Sequence, residues 1–97
     1  MSKSIRDENL DKLFEAILKL ETVDECYALF EDLCTVNELI ALKQRFLVAR
    51  MLQEGMIYNE IVEKTGVSTA TISRINRCLN YGDGYATALE RIGEGKK

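Results

Sequence analysis

Between residues 69 and 77 the chain places Thr69, Ala70, Ser73, Arg74 and Arg77, separated by one, three, one and three positions. On a helix, residues spaced this way project from one side of the cylinder. None of them is acidic or bulky and apolar. Hydroxyls can donate to or accept from base edges, guanidinium groups can reach phosphates or guanine acceptors, and a methyl group allows close approach. This is the chemistry of a helix offered to the major groove of duplex DNA. Ser68, one residue earlier, is suited to N-cap that helix.

A groove-facing helix must be held from behind, and residues 56–81 supply the means. They read as two short helices, about 58–64 and 69–79, joined by a tight turn at Gly66. Ile61, Val67, Ile72 and Ile75 follow one another at offsets of 6, 5 and 3. That spacing brings one side chain of the first helix, one of the turn and two of the second into a small core. The combination predicts a helix-turn-helix. Val62 departs from the usual pattern, since many such motifs keep a small Ala four residues before the turn glycine. An αα-hairpin with a glycine turn shares part of the signature. The alternative is therefore a helical dimerisation or adaptor module whose hairpin grips a protein.

Upstream, residues 5–20 put Leu10, Leu13, Phe14, Ile17, Leu18 and Leu20 on one broad stripe. This predicts an amphipathic helix capped by Ser4, with Asp7 at the third helical position. Thr22 to Glu25 and Thr35 to Glu38 each read as a capping box, opening a second and a third helix. The third runs to about Glu54 and closes at Gly55. Its apolar positions, Leu39, Leu42, Phe46, Ala49, Met51 and Leu52, are flanked by Ile40, Leu47 and Val48, so it should face more than one neighbour. After the helix-turn-helix, residues 80–84 read as a turn. Asp83 is expected to cap a last helix from Tyr85 to Ile92, and the tail GEGKK is expected to be loose.

Ninety-seven residues with 46% hydrophobic content and no Pro make one small helical domain. In it, 1–55 would serve dimerisation, 56–81 would form the helix-turn-helix, and 82–97 the last helix and tail. So much apolar helix surface exceeds what a chain of this size can hide, which points to a homodimer. The formal charge of −3 is unevenly spread. Residues 1–42 hold 10 acids against 4 bases, whereas residues 43–97 hold 6 against 9. The basic half suits phosphate contacts, and the acidic half should face away from the duplex.

Catalysis finds no footing. There is no His, no nucleophile–base pair, and the acids Glu31, Asp32, Glu60 and Glu63 read as helix surface. No catalytic residue, metal site or cofactor is expected. Cys26, Cys34 and Cys78 lack a CxxC pair and read as reduced, buried small hydrophobes of a cytoplasmic protein. MSKSIRDENL has no signal-peptide run, and no stretch approaches a membrane span.

From Leu39 to Leu79 the chain resembles the Trp repressor superfamily. The resemblance is carried by ALKQR at 41–45, Met56, Glu60, Ile61, Gly66 and above all Ala70-Thr71-Ile72-Ser73-Arg74. Residues 79–85, LNYGDGY, are similar to a segment of the TrpR-like YerC/YecD group within that superfamily. The resemblance implies an all-α fold of about six helices, built as an intertwined homodimer that binds palindromic operator DNA, most often as a repressor. It implies that Thr69, Ala70 and Ser73 face base edges, with Asn59 and Thr71 near the duplex. Arg74 aligns with the family arginine that holds the carboxylate of tryptophan. Arg45 aligns with the arginine that stacks on the indole, provided one residue is deleted before Met56. The pattern departs where the ligand matters. Ile75 stands where the repressor has a glycine that makes room for the indole, and Cys78 replaces a serine that helps bind the amino group. These two changes argue against tryptophan as the effector, while another small-molecule corepressor stays open.

Overall fold

The structure, a computed structural model, describes residues 5–93. Those residues contain six helices and no strand. The chain divides into two compact units, Met1–Val36 and Asn37–Lys97.

The first unit holds α1 (Glu8–Lys19) and α2 (Val23–Leu33). Helix α1 starts three residues later than its apolar pattern suggested, because Asp7 is the N-cap: its carboxylate accepts from the Asn9 N–H at 3.1 Å. Ser4, the expected cap, lies outside the described residues. Glu8 and Asp11 in the first turn and Lys19 in the last oppose the helix dipole with the favourable sign. At the start of α2, Thr22 Oγ1 accepts from the Glu25 N–H at 3.0 Å. The Glu25 carboxylate completes a variant of the capping box by accepting from Glu21, one residue before the cap, at 2.7 Å. Neither helix contributes a buried residue. Leu10, Leu13, Ile17 and Leu20 are half-buried, whereas Leu18 is 81% and, on α2, Tyr27 63% exposed, so the apolar faces seen in the sequence are only partly covered.

The second unit contains α3 (Val36–Gln53), α4 (Tyr58–Thr65), α5 (Thr69–Tyr81) and α6 (Gly84–Arg91), with the first residue of α3 closing the first unit. Its core is Val48, Ala49, Ile61, Ile72, Ile75, Leu79 and Leu89. Only the C-terminal part of α3 enters that core. Ile40 and Leu42, expected on its packing face, are each 44% exposed. Gly55 ends α3 in the left-handed region at φ 91. Its N–H donates to Leu52 O and that of Met56 to Met51 O, both at 3.0 Å, which satisfies two terminal carbonyls.

Helix α6 differs from its expected start. Asp83 precedes it with helical dihedrals, and its side chain makes no capping bond; its carbonyl instead accepts from Thr87 N–H at 2.9 Å. The preceding turn is also shorter than expected, because Asn80 and Tyr81 still belong to α5. Leu89 anchors α6 in the core, whereas Ile92 is 58% exposed just beyond the helix. The cysteines are free thiols but not core residues: Cys26 and Cys78 are exposed and Cys34 is half-buried. Cys26 sits on α2, and Cys78 on the side of α5 that opens to a cavity. Among the described residues no helix is long and apolar enough to cross a membrane, and no group of His, Cys, Asp or Glu could hold a metal ion.

Candidate nucleic-acid interface and adjoining cavity

The elbow between α4 and α5 is built from backbone chemistry. Gly66 caps α4 at φ 75, ψ 4 and donates to Val62 O at 2.8 Å. An added Cβ there would meet nothing within 4 Å, so the glycine answers a dihedral requirement and not a lack of space. Thr65 reinforces the bend, donating from Oγ1 to Ile61 O at 2.7 Å and accepting from Val67 N–H at 3.1 Å. From α3, the Gln44 side-chain amide donates to Thr65 O at 3.2 Å. Ile61, Ile72 and Ile75 are buried beneath the elbow, and Val67 and Val62 pack against them half-buried. The core expected from the spacing is present, and Val62 is accommodated at its rim.

Helix α5 then presents Thr69, Ala70, Ser73, Arg74 and Arg77, all exposed, with no acidic residue anywhere from Gly66 to Gly82. Asn59 is exposed near the start of α4. Ser68 is engaged as the N-cap: its Oγ accepts from Thr71 N–H and donates to Thr71 Oγ1, both at 3.2 Å. Thr71 is half-buried and borders a cavity, set apart from the ridge of Thr69 and Ser73.

That cavity has a volume of about 120 Å³ and is lined by Arg45, Thr71, Arg74, Ile75, Cys78 and Tyr85. The structure thus brings together the two arginines singled out in the sequence. Ile75 is 4% exposed and belongs to the core as well as to the cavity wall. Tyr85 is the residue that sequence reasoning left out of the site. Its ring lies 6.3 Å from that of Phe46 at an interplanar angle of 35°. Burial raises the Tyr85 pKa above its usual value, the nearby Cys78 raises it further, and Arg45 and Arg74 act the other way. Its phenol is therefore neutral at physiological pH. The glycine-flanked LNYGDGY segment was the available signal, but nothing local to it specifies a cavity shared with Arg45.

Residues 8–92 match the family model described as Trp repressor protein. The chain belongs to the Trp repressor family. Within the family it falls in a TrpR-like YerC group: a Bacillus subtilis (strain 168) protein named YerC, itself uncharacterized, is 56% identical over 91 residues, covering 93% of this chain and 88% of that one. A crystal structure of a TrpR-like protein from Eubacterium eligens ATCC 27750 superposes with a TM-score of 0.87 at 54% identity, covering 96% of this chain and 97% of that one. A proposed Trp repressor from Staphylococcus aureus gives the same TM-score at 48% identity, covering 96% and 94%. The Trp repressor family is one of non-enzymatic DNA-binding regulators, and its all-α fold is the one this chain adopts.

Proposed function

We propose that this protein is a sequence-specific transcription regulator that binds palindromic operator DNA as a homodimer and represses by occupying the promoter. The observation that carries this reading is α5, anchored in the core by Ile72, Ile75 and Leu79, whose exposed face holds Thr69, Ala70, Ser73 and Arg77 with no acid from Gly66 to Gly82. In this reading Thr69, Ala70 and Ser73 meet base edges, while Asn59, Arg74 and Arg77 lie near the backbone. Ser68 and Thr71 set the N-terminus of the reading helix. The partly covered apolar faces of α1 and α2 support a second copy as their partner, with residues 1–55 supplying dimerisation, 56–81 the DNA contact and 82–97 the closing helix of one functional domain. A small-molecule corepressor would sit at Arg45 and Arg74. Tryptophan fits poorly, because Ile75 occupies indole space and Cys78 is a weak partner for an ammonium group.

Selection of genomic fragments by the purified protein tests this. The expected result is a palindromic motif that the Thr69→Ala/Ser73→Ala double variant fails to recover. Recovery that ignores sequence, or an affinity indifferent to salt, would overturn the operator reading in favour of a hairpin that grips proteins.

A further inference from the structure

We propose that α5 reads A·T pairs, and that it does so by packing thymine methyl groups against Thr69 and Ala70. The inference rests on the DNA-binding reading above and adds the class of base pair that each half-site must carry.

Few side chains are available to a base edge. Thr69, Ala70 and Ser73 are exposed at the start of α5. Ser68 and Thr71 are engaged with each other: the Ser68 hydroxyl caps the helix and donates to Thr71 Oγ1 at 3.2 Å. Thr71 and Arg74 stand on the flank of the helix, where both border the cavity with Ile75. Arg77 shares the stripe of Ser73 but lies about 12 Å beyond Thr69 along the axis. The major groove is itself about 12 Å wide, so with the first turn at the base pairs this guanidinium is level with a phosphate strand. Asn76 and Asn80 lie about two and three turns beyond Thr69, and their carboxamides bond to each other at 3.2 Å.

What the remaining set lacks decides the base class. Guanine is read by Arg or Lys donating to O6 and N7, and cytosine by a carboxylate accepting from N4. Thr69, Ala70 and Ser73 supply neither, and no Asp or Glu occurs from Gly66 to Gly82. Their hydroxyls can bond to any base and therefore discriminate little. Their methyl groups discriminate better, because thymine alone of the four bases places a methyl in the major groove. Thr69 and Ala70 each offer one, in consecutive positions at the exposed N-terminal turn. Asn59, exposed on α4, points to the same class, since a carboxamide matches the donor and acceptor of adenine.

Parallel selections by the full chain from one random duplex library, made with thymidine or with deoxyuridine, test the proposal. Uracil keeps every hydrogen-bonding group of thymine and lacks only the methyl. The thymine pool should yield a palindrome with A·T pairs at the positions that Thr69→Ser and Ala70→Gly relax. Replacing one such thymine in each half-site by uracil should weaken binding about tenfold, roughly three- to fourfold for each methyl. That ratio should fall to about threefold in Thr69→Ser or Ala70→Gly. It should hold in Thr69→Val, which keeps methyl groups and loses the hydroxyl. Three results would each overturn the proposal and leave the operator reading standing: uracil tolerated at every position, a ratio that neither Thr69→Ser nor Ala70→Gly lowers, or a motif held by guanines that Arg74→Gln or Arg77→Gln releases. Recovery with no motif from either pool would remove both.

Discussion

The two units of the chain use similar helices to opposite ends. Both have amphipathic helices, yet α1 and α2 contribute no fully buried residue, while the second unit closes a core of seven apolar side chains. Amphipathic periodicity therefore specifies a helix and the face it must cover, but not what covers it. In the second unit the cover is supplied by turns that fold the chain back on itself, at Gly55, Gly66 and Gly82. In the first, the proposed homodimer would supply it from a second copy.

Substitutions can sharpen that contrast. Ile61→Ala in the second unit should cost about 2–5 kcal/mol, read by chemical denaturation, because a fully buried side chain leaves a cavity. Such a loss approaches the whole stability of a small domain. Gly66→Ala should cost about 1–2 kcal/mol through its left-handed dihedral alone, and Gly66→Asn should recover much of it. If Ala proves neutral there, the elbow is less constrained than its φ of 75 implies.

Leu18→Ser in the first unit should change unfolding by under about 0.5 kcal/mol at a dilution where only single chains remain, as expected for an exposed position. At higher concentration the same change should weaken self-association in sedimentation. A loss as large as that of Ile61→Ala in the dilute chain would erase the distinction between the units. The smallest effect concerns Tyr85. A raised folded pKa means that its contribution is complete below the unfolded value near 10 and declines as pH rises through the folded one. An absorbance titration should contain one phenol ionising above the ordinary range, absent in Tyr85→Phe, and the alkaline loss of stability should shrink with it.

Features that depend on a few adjacent residues were legible in the sequence. Gly55, Gly66 and Ser68 occupy their expected positions because a left-handed residue or an N-cap is a local requirement. The exposed ridge of α5 was legible for the same reason, since helical spacing alone sorts Thr69 and Ser73 from Ile72 and Ile75. Competition between local options was harder. Asp7 takes the N-cap of α1, where its carboxylate also meets the helix dipole, and Asp83 lost its capping role to a helical backbone conformation. Least legible were contacts between distant elements. Nothing near Tyr85 shows that it shares a cavity with Arg45, and nothing near Cys26 or Cys78 shows that these thiols stay outside the core.

Gln44 and Arg45 are consecutive on α3, yet one side chain holds the carbonyl at the elbow and the other borders the cavity. The bend that sets α5 and the wall that would greet a guest thus share a single peptide unit. By thermodynamic reciprocity, any factor by which an occupied cavity tightens grip on an operator must equal the factor by which the operator tightens grip on the guest. On a chromosome, the guest would then linger longest on those copies already seated at their sites.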